Sequence, residues 1–364
     1  MTHAQRRTRL AVALAAGDLD ALVVSDLVNV RYLSGFTGSN AALLVFAGDT
    51  PAVLATDSRY LTQAARQAPD LEVAIERACA PHLVARAVAA GATQIGFESH
   101  VVTVDGFDTL ARRLGQDRGA TLIRAGGIVE RLREVKDAGE VALLRLACEA
   151  ADAALTTLIG AGGLRPGRTE REVGRELEAR MLDNGADGRA FETIVATGAN
   201  SAVPHHRPTD AELCAGDFVK IDFGALVGGY HSDMTRTFVL GPPAAWQREI
   251  YTLVADAQRA GRRALAVGAE LREVDGAARA IIDAAGHGDH FGHGLGHGVG
   301  LQIHEAPGIG SAATGTLRDG SVVTVEPGVY LPGRGGVRIE DTVLVTDRGP
   351  EVLSRYPKEL AALD

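Results

Sequence analysis

Asp222 and Asp233 stand on either side of a glycine pair in FVKIDFGALVGGYHSDMTRTFVL, residues 218–240. The apolar, β-branched arms and the Val227-Gly228-Gly229 centre predict two strands joined by a tight turn. Folded about its middle, such a hairpin sets the two aspartates directly opposite each other on one face, with Cβ atoms about 4.5–5.5 Å apart. Carboxylates that close repel, so the arrangement requires a shared proton or a cation between them. SVVTVEPGVYLPGRGGVRIEDTVLV, residues 321–345, repeats the construction, with Glu326 and Glu340 equidistant from Gly333. Four acidic side chains on two hairpins offer oxygen ligands to more than one divalent metal ion. Between the hairpins, FGHGLGHGVGLQIHEAP (residues 291–307) carries His293, His297 and His304, and neutral imidazole is the missing nitrogen ligand. Eight of the eleven histidines lie between residues 205 and 304, which marks the region without sorting ligands from bystanders.

The set resembles the pita-bread metallopeptidases, the family of methionine aminopeptidase, aminopeptidase P and prolidase. Its ligand order is Asp, Asp eleven residues on, His, Glu, Glu. Asp222, Asp233, His297, Glu326 and Glu340 match that order, within IDFGA, HSDMTRTF, HGLGHGVGLQIHE, VEPGVY and RIED. The resemblance is close from about residue 135 onward and weak over the N-terminal third. It implies two divalent metal ions per subunit. Asp222 would hold one, His297 with Glu326 the other, and Asp233 and Glu340 would bridge both. A carboxylate-rich shell with one histidine favours Mn²⁺, with Co²⁺ or Zn²⁺ able to substitute. Paired ions lower the pKa of a shared water and clamp the reacting oxygens.

The resemblance also implies roles for residues outside the ligand set. Glu326 would accept the water proton and relay it. His304, seven residues after His297, matches the family's second catalytic histidine. His293, four residues before His297, falls where the proline-specific branch contacts substrate. NSAVPHH, residues 200–206, matches the segment bearing a further active-site histidine, and spacing to Asp222 favours His205 over His206. His205 and His304 would hydrogen-bond the substrate and the tetrahedral oxyanion. Arg338 shares strand parity with Glu340, and Tyr330 with Glu326. Both are expected at the substrate, Arg338 binding a carboxylate or orienting Glu340, with a plain packing role the alternative for Tyr330.

The implied reaction is hydrolysis of the bond between an N-terminal residue and a following proline by a Xaa-Pro aminopeptidase. A Xaa-Pro dipeptidase with the same metal site is the alternative. YLSGFTGSNAALLV, residues 32–45, is more similar to aminopeptidase P than to prolidase. A creatinase-like amidinohydrolase and a non-catalytic binding module share the fold, and the complete ligand set argues against both. Methionine aminopeptidase usually lacks a large N-terminal domain, and this chain has about 130 residues ahead of the matched part.

The elements that must position these residues fit two domains, the natural division of 364 residues of which 46% are apolar. Residues 20–26, 41–48, 51–57 and 93–98 read as strands, and 58–68 and 81–91 as helices, an α/β alternation expected of a creatinase-like domain over residues 1–130. Asn29–Asn40 reads as a turn-rich loop, and Arg59 in DSRY as a structural partner of an acid. The remainder, 136–364, is expected to be an α+β pita-bread catalytic domain. Its helices begin at Asp137 and Thr169, the latter with a Thr169/Glu172 capping box, and further helices cover 246–268 and 271–286. A net charge of −9 and the absence of a basic run exclude nucleic acid as a partner. Three scattered cysteines without a CxxC pair fit a reducing cytoplasm. The basic residues 1–10 lead into an amphipathic helix, not a signal peptide, and no apolar run reaches about 18 residues, so no membrane span is expected. The expected partner is a proline-containing peptide, and analogy implies a homodimer.

Overall fold

The structure, a computed structural model, describes residues 1–115 and 119–363. It forms two compact units, Met1–Arg133 and Glu134–Asp364.

The first unit is built on six strands: β1 (Ala21–Val24), β2 (Ala41–Phe46), β3 (Val53–Thr56), β4 (Glu72–Ile75), β5 (Gln94–Phe97) and β6 (Thr121–Arg124). They lie in the order β4-β3-β2-β1-β5-β6. β1 runs antiparallel to β2 and parallel to β5. β1, β2 and β3 are buried throughout, which explains why ALVV, AALLVF and VLAT are unbroken apolar runs and not alternating ones. The edge strands β4 and β6 are each exposed at both ends and half-buried between. They lack an apolar signature for that reason, and the sequence reading passes over them. The expected loop at Asn29–Asn40 is corrected in its first half. Leu27–Ser34 is a helix, started by the Asp26 side chain on the Val28 amide and stopped by Gly35 at a left-handed φ of 79°. Arg59 does pair with an acid: its Nε and one terminal nitrogen each bond Asp57 at 2.8 Å.

The second unit repeats one motif, two helices followed by a long hairpin. The helices Ala138–Gly160 and Glu170–Asp183 open with capping boxes, Asp137/Glu140 and Thr169/Glu172. β7 (Gly188–Arg189) and β8 (Ile194–Thr197) follow. The first hairpin comprises β9 (Phe218–Phe223), β10 (Ala225–Val227), β11 (Tyr230–His231) and β12 (Met234–Leu240). The helices Ala245–Ala264 and Leu271–Ala284 begin the second copy. There, β13 (Gly296–Gly298) and β14 (Glu305–Ile309) precede the second hairpin: β15 (Val322–Val325), β16 (Gly328–Leu331), β17 (Gly335–Arg338) and β18 (Asp341–Thr346). β19 (Gly349–Val352) and β20 (Ala362–Leu363) close the chain, β20 lying parallel to β12. Each copy has its own apolar core. Leu155, Leu177, Ile221 and Phe238 meet in the first, and Val254, Ile282, Val325 and Val343 in the second.

The first hairpin does not pair as expected. Asp222 lies opposite Thr235, not Asp233, and Leu226 lies opposite His231. The turn is Gly228-Gly229 alone, with φ of 57° and 85°, so its centre falls one residue later than the midpoint of the two aspartates. The pairing is therefore offset by two residues. An even offset leaves both carboxylates on one face, diagonal to each other. The second hairpin keeps one register through a break in its strands: Val325 faces Asp341 and Gly328 faces Arg338. Glu326 and Glu340 sit in that break, in step with each other. The hairpins are joined where the Glu340 amide donates to the Thr235 carbonyl at 3.1 Å.

Candidate metal centre

The junction of the two hairpins collects the acidic residues. Donor atoms of Asp233, His297 and Glu340 all lie within 4.8 Å of one another. His297 Nε2 is 3.5 Å from Asp233 Oδ2 and 3.4 Å from Glu326 Oε1. Asp222 joins through Arg338, whose guanidinium donates to Asp222 Oδ2. The five residues that the sequence singles out as ligands are thus gathered at one place.

Neighbouring groups set the direction of each donor. His297 Nδ1 is 3.0 Å from the Gly298 carbonyl oxygen. That contact makes Nδ1 the donor and leaves the Nε2 lone pair facing the carboxylates, the tautomer a metal ligand needs. Burial lowers the His297 pKa and keeps the ring neutral. Thr324 Oγ1 accepts the His297 backbone amide at 3.0 Å and donates to Glu326 Oε1 at 3.2 Å. Thr235 Oγ1 donates to Glu340 Oε2 at 2.6 Å and accepts from Arg338 Nε at 3.0 Å.

The electrostatics call for a cation or for protons among these carboxylates. Burial, then the negative charges of Glu340, Asp222 and Glu326, push Asp233 well above the usual carboxylate range. Burial, then Glu326 and Asp222, do the same to Glu340. Burial chiefly raises Glu326 to about 7. Among the described residues Asp222 Oδ1 is buried with no hydrogen-bond partner. An orphaned carboxylate oxygen beside three more carboxylates and a correctly turned imidazole fits divalent metal ions, since an unpaired buried charge is costly.

These sequence motifs and this geometry agree with what the chain resembles. Residues 142–347 match the model of metallopeptidase family M24, and residues 6–135 that of the creatinase/prolidase N-terminal domain. The chain belongs to metallopeptidase family M24. An uncharacterized peptidase, YqhT, of Bacillus subtilis is 39% identical over 346 residues, 95% of this chain and 96% of the relative. A solved Xaa-Pro dipeptidase from Bacillus anthracis superposes with a TM-score of 0.94 at 38% identity, covering 100% of both chains. A solved X-Pro aminopeptidase from Thermotoga maritima gives 0.86 at 33% identity, covering 95% of this chain and 98% of that one.

In this M24 metallopeptidase Asp222, Asp233, His297, Glu326 and Glu340 line a cavity of about 820 Å³. Arg171 and Arg175 of the helix Glu170–Asp183, with Phe191, Ile194 and Ile303, help form its walls. His205, His293 and His304 also face it. His304 stacks edge-on against His297, ring centroids 4.4 Å apart. His205 and His206 differ in their surroundings. His206 Nε2 is bound to Glu170 Oε2 at 2.8 Å, whereas His205 is exposed to the cavity with no hydrogen bond among the described residues.

Arg338 and Tyr330, expected at the substrate, stand behind the cavity wall. Arg338 is buried. Besides Asp222 and Thr235 it donates to the Tyr330 hydroxyl at 2.8 Å and the Pro204 carbonyl at 3.2 Å. Strand parity aims the guanidinium at the ligand face, and there Asp222 engages it. Tyr330 in turn lies 2.9 Å from His293 Nε2. His293 Nδ1 faces the Gly294 carbonyl at 2.8 Å, so Nε2 accepts the Tyr330 proton. Burial, then the Arg338 charge, lowers His293 to about 4, which keeps that acceptor neutral.

Two supporting residues escape the sequence reading. Lys220, fully buried, donates to the carbonyls of Val203 at 2.7 Å and Pro204 at 3.3 Å and so anchors the residues just before His205. Its one signal is a lysine inside the otherwise apolar start of β9. Glu170, at the start of its helix, accepts from Thr197 N, Asn200 Nδ2, His206 Nε2, Thr209 N and Thr209 Oγ1. Nothing in its capping-box context distinguishes it from an ordinary helix-start acid.

Proposed function

We propose that this M24 metallopeptidase is a Xaa-Pro dipeptidase, with Asp222, Asp233, His297, Glu326 and Glu340 holding two divalent ions, preferentially Mn²⁺. The observation that carries the dipeptidase reading is the full-length likeness, TM-score 0.94, to the Bacillus anthracis Xaa-Pro dipeptidase. The aminopeptidase reading first drawn from residues 32–45 becomes the second one. The Thermotoga maritima X-Pro aminopeptidase, at 0.86, supports it. The same proposal takes the enzyme as a cytoplasmic homodimer. Among the described residues no helix is long and apolar enough to cross a membrane.

The bound ions would supply an activated water and a Lewis acid for the carbonyl. The protein's own part is binding and proton handling. His205 and His304, both facing the cavity, donate to the carbonyl oxygen as it gains charge. Glu326 takes the water proton on Oε2, the oxygen that Thr324 does not engage, and returns it to the proline nitrogen as the C–N bond breaks. That nitrogen has no hydrogen before cleavage, so the site needs no acceptor for it. The Arg338–Tyr330–His293 chain holds His293 in a fixed tautomer at the cavity wall.

Hydrolysis of Ala-Pro and Ala-Pro-Ala, with Mn²⁺ and after EDTA treatment, tests the reading. Mn²⁺-dependent cleavage of the dipeptide with little on the tripeptide is expected. Tripeptide cleavage alone would instead establish the aminopeptidase, and no cleavage of either by metal-loaded enzyme would end the proline-specific reading.

A further inference from the structure

Among the described residues, two groups of three His, Cys, Asp or Glu side chains bring their donor atoms within 4.8 Å of one another. One is the Asp233, His297 and Glu340 set. The other is in the N-terminal unit: Asp26, His100 and Glu130. We propose that this second group is a separate binding site for one divalent transition-metal ion, of the Zn²⁺ or Co²⁺ type.

The donor set is an imidazole and two carboxylates, a mixture that suits Zn²⁺ and its neighbours better than Ca²⁺ or Mg²⁺. His100 Nε2 lies 3.0 Å from Glu130 Oε1. Glu130 Oε2 is buried and has no hydrogen-bond partner among the described residues, although the other oxygen of the same carboxylate has two. Asp26 uses Oδ1 to cap its helix on the Val28 amide, which leaves Oδ2 for a ligand.

The cluster is held from beneath. Glu98, 1% exposed, accepts the backbone amides of Ser25 and Asp26 on Oε2, both at 2.6 Å. Its Oε1 accepts Asn29 Nδ2 at 2.7 Å, and the same Asn29 amide group donates to Glu130 Oε1 at 2.6 Å. Arg133 fixes the other end of Asn29 at 2.8 Å. Two carboxylates, those of Glu98 and Glu130, thus converge on one fully buried amide whose oxygen Arg133 holds.

The place in the fold is an independent argument. Asp26 follows the carboxyl end of β1, His100 that of β5, and Glu130 lies on the helix Ile128–Arg133 that follows β6. β1 and β5 are parallel neighbours, and the chain leaves β1 for β2 on one side and returns as β5 on the other. In open α/β sheets ligands settle in the crevice outside the strand carboxyl ends, at the point where strand order reverses. All three donors follow the carboxyl ends of the parallel strands β1, β5 and β6 beside that point. A bound ion would tie the start of the helix Leu27–Ser34 to the turn after β5 and to the helix Ile128–Arg133.

The test is metal stoichiometry of the stripped full-length chain, dialysed against Zn²⁺ and counted by mass spectrometry. In an Asp233→Ala/Glu340→Ala background, which removes catalytic ligands, the proposal expects one tightly held equivalent that disappears when His100→Ala is added. Glu130→Gln provides a second variant, and a Co²⁺ absorption spectrum that changes on either substitution reports the same site. His100 is partly exposed, so its loss leaves no buried cavity; thermal unfolding of the stripped variants checks that they remain folded. In the otherwise native chain, His100→Ala should lower Zn²⁺ by one equivalent with peptide hydrolysis unchanged. Zn²⁺ content that is the same with and without His100 and Glu130 overturns the proposal.

Discussion

Among the described residues His304 and His205 face the cavity without a hydrogen-bond partner of their own, whereas His297 is fixed by Gly298 and His206 by Glu170. Under the proposed function, that contrast assigns His205 and His304 to substrate, and His297 and His206 to building the site. His304→Ala should lower kcat by about 10²–10³-fold, the usual effect of removing one oxyanion donor, with bound metal unchanged. Asp233→Ala should abolish activity and lower metal content together. Loss of metal in His304→Ala, measured by mass spectrometry, would mean that His297 is not the ligand. Glu170 belongs to the same scale although it touches no reacting atom. Glu170→Gln places an amide donor where five donors converge, and should cost about 1–3 kcal/mol in urea unfolding. Because the loop bearing His205 loosens, kcat should fall while metal stoichiometry holds.

At the level of elements, the carboxylates depend on how closely β9 and β12 approach. Gly224 links β9 to β10, and a Cβ there would lie 1.9 Å from the Ser232 carbonyl oxygen, a backbone atom that cannot swing aside. Gly224→Ala must therefore force the hairpin apart between Asp222 and Asp233. The expected cost is at least the about 1–3 kcal/mol of ordinary overpacking, with weaker metal binding in equilibrium dialysis. Native metal affinity in that variant would show that the hairpin tolerates the added methyl without moving its ligands. The second hairpin contributes by interruption. β15 and β18 give way to β16 and β17 at Glu326 and Glu340, which frees both side chains from strand packing while the register stays in step.

On the scale of the whole molecule, the metal-free protein carries a pH-dependent weakness. Glu326 is raised from 4.5 to about 7 in the folded state, and Asp233 and Glu340 are raised as well. Between the ordinary carboxylate value and about 7, the folded chain holds protons that the unfolded chain has released. Stability from this site is thus greatest at the acidic end of that window and falls as pH rises through it. The thermal midpoint of EDTA-treated protein should drop with rising pH across the window, and Mn²⁺ should restore most of the loss at its upper end. A midpoint insensitive to Mn²⁺ at every pH would contradict an ion among these carboxylates.

Much of this was decided by local sequence. The two-hairpin plan, the helices opened by Asp137 and Thr169, and the four carboxylates on the hairpins follow from strand patterning, capping residues and spacing, all interactions within a few turns of chain, whereas the choice of His297 as their nitrogen partner comes from the family resemblance. Strand parity alone put Asp222 and Asp233 on one face, since parity survives a two-residue error in register. The tertiary structure decided what depends on distant partners. It placed the turn on Gly228-Gly229, set the Arg338 guanidinium against Asp222, and gave Lys220 and Glu170 the task of holding the His205 loop. It also turned Asn29 to Ser34 into helix and brought Asp26, His100 and Glu130 together across three separate segments. Each of these is set by which groups meet after long-range strand pairing, and pairing energies between residues a hundred positions apart leave no periodic trace in the sequence.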